Sequence, residues 1–311
     1  SFFDVVNDAD KHTRCRFIAR YEWLKEKLEI DEKRIPEIVC NEVNDVLSKI
    51  NAHSAVLIFA TAYPNSPASM FGHTLIRLDT KDQTPLLSYG INYSAIQEDK
   101  FPAIYTFKGI FGFYKGIYTV MPYYEKVKEY NDIERRDLWE YKLNLNPEEV
   151  RKMLLHLWEL KDVYQYYYFF DENCSYNILF LLESARPSVS LTDKFFYWVI
   201  PGDTIRAVIE EGMVDKAEYR PSIYTRIKYL ASFLAPEKRL ESYQISQRKI
   251  SPDDILNRNY SLADKQTMLE LSAETTQYLF LKEKLDEKSY KKIFLNTLIA
   301  RSKLEKKENK L

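Results

Sequence analysis

Hydrophobic residues near the start of the chain recur at the spacing of an α-helix. In the stretch FIARYEWLKEKLEI, positions 17, 21, 24 and 28 are hydrophobic. Side chains three or four positions apart share one face of a helix, so this pattern is typical of a helix that packs on one side. We therefore predict a helical N-terminal segment over residues 1–50.

From residue 51 the pattern becomes typical of strands separated by turns. AVLIFATA is a short continuous apolar run, as expected of a buried strand. HTLIRLDT and PLLSYGINYS, separated by the turn KDQT, predict two further strands. Residues 101–124 are aromatic and spaced by glycines, which favours strands or a long structured loop, whereas residues 132–162 have a helical pattern.

The distribution of glycine divides the chain into three parts. All seven glycines lie within residues 72–212, and glycine marks tight turns and close approaches of the backbone. Beyond about residue 222 the sequence has no glycine and consists of charged, helix-favouring stretches. We therefore expect a turn-rich domain over residues 51–215, where a functional site would lie, and a helical region over residues 216–311.

Composition narrows the possible partners. The formal net charge is −1, without the basic excess that a nucleic-acid binder normally carries, so no nucleic-acid partner is expected. No run of apolar residues approaches the length of a membrane span. The sequence starts at Ser1 without a signal-like segment, and we expect either a trimmed chain or a mature, exported one.

The three cysteines leave two interpretations open. Cys15 and Cys40 lie 25 positions apart, and Cys174 stands alone far downstream. All three can be ordinary buried thiols, because cysteine packs well in protein interiors. Alternatively, Cys15 and Cys40 form a disulfide in an oxidising compartment, which leaves Cys174 as the free thiol.

Cys174 lies where a polar turn becomes an apolar run, in FFDENCSYNILFLLE. Asp171 or Asn173 can cap a helix that begins there, and Ile178 lies four positions after the cysteine on the same helix face. At a helix N-terminus, the dipole and unpaired N–H groups favour a thiolate and could receive an oxyanion. Cys174 is therefore a candidate nucleophile, with ordinary core packing as the alternative.

A cysteine nucleophile needs a base, and His73 is the best candidate among the four histidines. It follows Gly72 at the entrance to a predicted strand, and strand ends are where rigid scaffolds present catalytic groups. On the next predicted strand, Asn92 could accept a hydrogen bond from the imidazole, although Ser88 or Tyr89 could do so instead. Asn92 can also be merely a turn residue at the end of its strand.

Seven segments together resemble the Lnb N-terminal periplasmic domain family. They are MFGHTLIRLD, YGINY, FKGIFGFYKG, LWEYKLNL, HLWEL, YYYFFDENCSYN and PGDTIR, in this order over roughly residues 50–215. Family members with an assigned activity are bacterial lipoprotein N-acyltransferases. In them membrane-spanning helices follow this domain, whereas charged helices follow it here.

The resemblance implies an α+β fold with a circularly permuted, papain-like (NlpC-type) core. In it, a small antiparallel sheet packs on the cysteine-bearing helix, with helical extensions at both ends. It also implies that Cys174, in ENC, attacks a phospholipid ester and holds the acyl group as a thioester. His73, in FGHT, would be the general base and acid, and Asn92, in GINY, would orient it. No cofactor or metal is implied.

The sequence also predicts residues that bind the substrate of Cys174, His73 and Asn92. FKGIFGFYKGIY can be a core strand, or it can enter a bilayer interface with Lys108 and Lys115 near the head groups. The predicted substrate-binding residues are Tyr89, Phe111, Phe113, Tyr114 and Asn173.

Three functions remain open at this stage. The first is a periplasmic, membrane-peripheral acyltransferase whose partners are a phospholipid donor, a membrane surface and an amine acceptor such as a bacterial lipoprotein. The second is a cell-wall amidase or cysteine peptidase of the same fold, in which water resolves the intermediate. The third is a periplasmic binding domain in which Cys174 is inert.

Overall fold

A computed structural model describes residues 9–31, 33, 35–63, 70–81, 84, 87–97, 99, 101–133 and 135–304. Within these residues the chain forms two compact units. Unit 1 comprises the chain up to Lys126 together with Leu138–Tyr219, and unit 2 comprises Val127–Asp137 together with the chain from Arg220 onward. A short segment from the middle of the sequence therefore belongs with the C-terminal helices.

Unit 1 is built on an antiparallel sheet, whose described strands follow the order β6-β4-β3-β2-β1-β5-β7. The strands are β1 (Ser54–Ala60), β2 (His73–Asp79), β3 (Tyr89–Ile96), β4 (Tyr114–Pro122), β5 (Leu138–Leu143), β6 (Gln165–Tyr167) and β7 (Val214–Arg220). The three strands predicted from the hydrophobic runs are β1, β2 and β3, which lie at the centre of this sheet.

The helices complete an α+β fold, so the predicted α+β class is confirmed. Those before β7 are α1 (Thr13–Arg16), α2 (Ile18–Lys27), α3 (Asn41–Ile50), α4 (Pro102–Ile110), α5 (Tyr123–Val127), α6 (Pro147–Glu159), α7 (Cys174–Ala185) and α8 (Pro201–Glu210). Those after it are α9 (Ile223–Ser232), α10 (Pro236–Ser246), α11 (Pro252–Asn257), α12 (Leu262–Leu281) and α13 (Glu287–Ser302). None of the described helices combines the length and apolarity needed to span a membrane.

Two local predictions were wrong in part, although α6 confirms the helical pattern in the second half of residues 132–162. Residues 132–162 are not one helical stretch, because β5 pairs with β1 in register, Tyr141 opposite Leu57. Pairing with a central strand decided the conformation of this segment over its helical pattern. Residues 101–124 begin with the helix α4 before β4, since aromatic residues with a proline at the first turn are compatible with a helix.

The helix α7 packs its apolar side into the core of unit 1. Ile178, Leu181 and Leu182 are buried together with Ile76 of β2 and Ile91 of β3. The helix therefore rests on the two central strands, and its first residue lies next to the start of β2. Burial of these large aliphatic side chains fixes the helix on the sheet.

The N-terminal segment is joined by a disulfide between Cys15 and Cys40. Of the two interpretations left open by the sequence, the disulfide is therefore the one the structure shows. The bonded cysteines pack against Val43 and Leu155, and the indole of Trp158 donates a hydrogen bond to the Cys15 carbonyl at 2.7 Å. The bond ties α1 and α3 to one side of α6.

Loss of this disulfide should destabilise unit 1. For a loop of 25 residues, cross-linking restricts the unfolded chain by about 3 kcal/mol. We expect Cys15→Ser/Cys40→Ser to lower the free energy of unfolding by about this amount, measured by urea denaturation. An unchanged denaturation midpoint in this variant would contradict the prediction.

Candidate active site

The residue before α7 fixes the start of that helix. The Oδ1 atom of Asn173 accepts hydrogen bonds from the N–H groups of Ser175 at 3.0 Å and Tyr176 at 3.3 Å. Its amide nitrogen donates to the carbonyls of Val199 at 2.6 Å and Phe169 at 3.3 Å. Asn173 is thus the helix cap, and the predicted contact with substrate would require these bonds to break.

His73 and Asn92 meet at one end of the sheet. The Nε2 atom of His73 lies 2.7 Å from Oδ1 of Asn92. Arg77 of β2 lies directly opposite Gly90 of β3, and side chains along a strand alternate between the two faces of the sheet. His73 is an even number of positions from Arg77, and Asn92 is an even number from Gly90, so both side chains lie on the same face. Because the strands are antiparallel, the start of β2 and the later part of β3 lie at the same end, which brings these two side chains together.

The hydrogen bond with Asn92 decides which nitrogen of His73 faces the cysteine. An amide oxygen only accepts hydrogen bonds, so Nε2 carries the proton and donates it to Oδ1. The amide nitrogen of Asn92 in turn donates to the hydroxyl of Ser94 at 3.2 Å, which fixes the orientation of the amide. The Nδ1 atom of His73 is therefore left for the thiol of Cys174.

Cys174 and His73 lie together although they are 101 positions apart in the sequence, because the residues that follow them, Thr74 and Ser175, are hydrogen-bonded at 3.0 Å and the thiol hydrogen-bonds to the imidazole. Burial by itself would raise the pKa of the thiol. The charge of His73 and its hydrogen bond to the sulfur, the N–H of Thr74 and the hydroxyl of Tyr167 outweigh burial and lower the pKa of Cys174 to about 6. The site therefore favours a thiolate at neutral pH.

Tyr167 is a neighbour of the thiol that the sequence analysis missed. Its hydroxyl accepts a hydrogen bond from the backbone N–H of Cys174 at 3.2 Å and also interacts with the sulfur. The residue stands in the run YYYFF, where nothing local distinguishes it from Tyr166 or Tyr168. Pairing of β6 with β4 makes Tyr167 the buried one of these three tyrosines.

A second hydroxyl contact joins the helix to the strand. The Oγ1 atom of Thr74 donates to Oγ of Ser175 at 3.0 Å, and both residues are fully buried. These are the residues that directly follow His73 and Cys174. The contact therefore fixes the two reactive side chains relative to each other.

The predicted substrate-binding residues fall into different places. Tyr89 packs against the core of unit 1, on the face of β3 opposite to Asn92. Phe111 and Phe113 are exposed, at 58% and 63%. Tyr114 is buried beside them, so it is part of the support of this surface and not of the surface itself.

The polar side chains close in sequence to Phe111 and Phe113 interact with neighbouring residues. The hydroxyl of Tyr114 donates to Asp99 at 2.8 Å, and burial together with that carboxylate raises the pKa of Tyr114 to about 12. Lys108 pairs with the same carboxylate at 2.8 Å. Lys115 lies over the ring of Tyr164, with its nitrogen 4.2 Å from the ring centre.

The model of the family described as the Lnb N-terminal periplasmic domain matches residues 42–211, just over half of the chain. The chain belongs to this family. A periplasmic location fits both this family and the disulfide of the N-terminal segment. The matched range contains His73, Asn92, Tyr167 and Cys174.

Residues 217–310 match a second model, described as a domain of unknown function (DUF7842). This range covers most of unit 2. Comparison with curated proteins and with solved structures gives no match.

The lowered pKa of Cys174 predicts its reactivity. We expect the rate of alkylation by iodoacetamide to rise with pH around a midpoint near 6, because the thiolate is the reactive form. A free cysteine has its midpoint at about 8.5. The measurement is the mass of the intact protein after timed alkylation at several pH values.

The variant His73→Ala provides the comparison for this experiment. Its midpoint should move to higher pH, because the thiolate loses its charged partner. Cys174→Ser should take up no label, since the other two cysteines are bonded to each other. A midpoint near 8.5 in the unaltered protein would contradict the assigned environment.

Proposed function

We propose that the protein is a thiol-dependent acyltransferase. It takes an acyl chain from a phospholipid, holds it as a thioester on Cys174 and passes it to an amine, with the N-terminus of a lipoprotein as one acceptor. The observation that carries this proposal is the contact between the Cys174 thiol and His73 at the start of a helix. Cysteine nucleophiles with an oriented histidine perform acyl transfer.

In the first step the thiolate of Cys174 attacks the carbonyl carbon of the phospholipid ester. The sulfur–carbon bond forms, and the carbonyl electron pair moves onto the oxygen. When the tetrahedral intermediate collapses, the ester carbon–oxygen bond breaks and the imidazolium of His73 gives its proton to the leaving lysophospholipid oxygen. The products are an acyl-cysteine and a neutral imidazole, still oriented by Asn92.

In the second step an amine attacks the thioester. The nitrogen–carbon bond forms, His73 takes the proton that the amine loses, and the sulfur–carbon bond breaks to return the thiolate. Transfer to an amine requires that water does not reach the thioester first. The cysteine is 2% exposed, so bulk water has little access to the sulfur.

The arrangement also supports a circularly permuted, papain-like core. The base His73 and its partner Asn92 come from consecutive strands and precede the nucleophile in the sequence. The nucleophile opens a helix that packs on those strands. This order of elements is the one implied by the resemblance to the family.

Two groups of exposed rings support a lipid as the acyl donor. We call them together the aromatic rim, which consists of Phe107, Phe111, Phe113, Phe196, Tyr197 and Trp198. Each of these side chains is between 56% and 82% exposed. Exposed aromatic side chains in such numbers are typical of a surface that enters a bilayer interface.

Both groups are attached to the segment that leads into Cys174. The N–H of Phe169 donates at 2.9 Å to the carbonyl of Gly109, which lies in α4 between Phe107 and Phe111 of the first group. The N–H of Val199, directly after the second group, donates to the carbonyl of Phe170 at 2.8 Å. The rim is thus tied to the chain a few residues before the nucleophile, where an acyl chain that leaves a membrane would arrive.

Incubation with a phospholipid should acylate Cys174. We expect the intact protein to gain the mass of one acyl chain when mixed with labelled phosphatidylethanolamine, because the thioester is the stable intermediate in the absence of an amine. Addition of a peptide with a free N-terminus should remove this mass and yield the acylated peptide. Mass spectrometry measures both products.

Variants separate this reaction from its alternatives. Cys174→Ser should show no mass gain. Arg206→Ala changes an exposed residue that pairs with Asp203, and it should react like the unaltered protein. Absence of the adduct together with cleavage of muropeptides would instead establish the amidase. Absence of both activities would contradict the enzyme assignment.

The aromatic rim should bind vesicles. We expect Phe111→Ser/Phe113→Ser to weaken binding to phosphatidylethanolamine–phosphatidylglycerol vesicles about tenfold or more, because full burial of one Phe side chain contributes about 1.5–3 kcal/mol. Sedimentation with the vesicles measures the bound fraction.

A matched control lies on α9 in unit 2. Tyr229 and Phe233 are similarly exposed, at 64% and 60%, and are in contact with each other. Tyr229→Ser/Phe233→Ser should leave vesicle binding unchanged. Equal losses in the two double variants would show that binding does not depend on the rim.

A further inference from the structure

We propose that the hydroxyl of Tyr167 and the backbone N–H of Cys174 together form the oxyanion site of this enzyme. The inference rests on the proposed acyl chemistry, because an oxyanion forms only when the thiolate attacks a carbonyl. It assigns a catalytic role to a residue of β6 that lies outside the Cys174–His73–Asn92 set.

The backbone donors at the start of α7 are almost all occupied. The N–H groups of Ser175 and Tyr176 are held by the side chain of Asn173, and the N–H of Asn177 donates to the Asn173 carbonyl at 3.2 Å. The N–H of Cys174 is different, because it donates to the Tyr167 hydroxyl at 3.2 Å. It is therefore the first-turn N–H that can change partner without undoing the cap.

The Tyr167 hydroxyl lies beside both atoms that define the position of an oxyanion. It bonds the N–H of Cys174 and interacts with the sulfur that attacks the carbonyl carbon. In a tetrahedral intermediate the oxygen is two bonds from this sulfur. The Tyr167 hydroxyl and the Cys174 N–H are thus within reach of that oxygen.

The hydroxyl is held rigidly, as preorganised stabilisation requires. Tyr167 is 3% exposed and pairs with Tyr114 across β6 and β4. Its ring stacks on that of Tyr93, with 5.8 Å between the ring centres, and meets Phe169 edge-on at 6.1 Å. A donor fixed by packing loses little energy to reorganisation during the reaction.

The hydroxyl changes its acceptor as charge moves. In the resting site it donates to the thiolate of Cys174, which carries the negative charge. When the sulfur–carbon bond forms, the electron pair of the carbonyl moves to the oxygen, and the hydroxyl donates to that oxygen instead. Tyr167 keeps its proton throughout, since burial raises its pKa well above the ordinary value.

The test compares two reactions of Cys174 in the variant Tyr167→Phe. p-Nitrophenyl acetate acylates the sulfur through an oxyanion, whereas iodoacetamide alkylates it without one. At pH 9, where the thiolate is fully formed, we expect the acetylation rate to fall about 100-fold, as on loss of one oxyanion donor. The alkylation rate should equal that of the unaltered protein, which also shows that the variant is folded.

Tyr93→Phe is the matched control, because it removes another buried hydroxyl from the same group of rings. Within the described residues the hydroxyl of Tyr93 has no hydrogen-bond partner, so this variant should keep both rates. Equal losses of acetylation and alkylation in Tyr167→Phe would overturn the inference, as they would show a role in thiolate stability alone. Unchanged acetylation in that variant would overturn it as well.

The test of the oxyanion site can be distinguished from the test of phospholipid acyl transfer. Activated acetate needs neither a lipid nor a specific acceptor, so acetylation can succeed where phospholipid fails. In that case Tyr167 is still tested, and only the donor assignment is lost. Failure of the unaltered protein to be acetylated at Cys174 would contradict the oxyanion site, because a preorganised thiolate and donor pair should accept an activated ester.

Discussion

The stabilisation of a buried sulfur anion is the interaction on which the rest of this site depends. Burial of Cys174 opposes its ionisation, and only the charge of His73 with the hydrogen bonds from Thr74 and Tyr167 reverses that preference. These donors belong to β2 and β6, whereas the sulfur belongs to α7. The chemistry therefore requires that one helix and two strands keep fixed positions.

The fold supplies this rigidity through its core. The apolar side of α7 is buried against β2 and β3, and the cap by Asn173 fixes where the helix begins. A shift of α7 by one residue would move the sulfur away from its donors and also place polar residues in the core. Packing and reactivity thus depend on the same arrangement.

The disulfide and the free thiol make different demands on the compartment. An oxidising environment favours the Cys15–Cys40 bond, and this pairing leaves Cys174 without a cysteine partner in the same chain. Its burial also limits the access of other thiols. A reactive thiolate and a structural disulfide can therefore coexist in one periplasmic protein.

The sequence by itself determined the candidates for chemistry but not all of their surroundings. Cys174 at a polar-to-apolar transition and His73 at a strand entrance could be predicted because helix starts and strand ends have local signals. Residues 138–143 became a strand against their helical pattern, because only pairing with β1 decides their conformation. Tyr167 could not be distinguished from its neighbouring tyrosines, and Tyr114 was predicted to bind substrate although it is buried. Both depend on the register of β4 and β6, which long-range contacts set and local sequence does not encode.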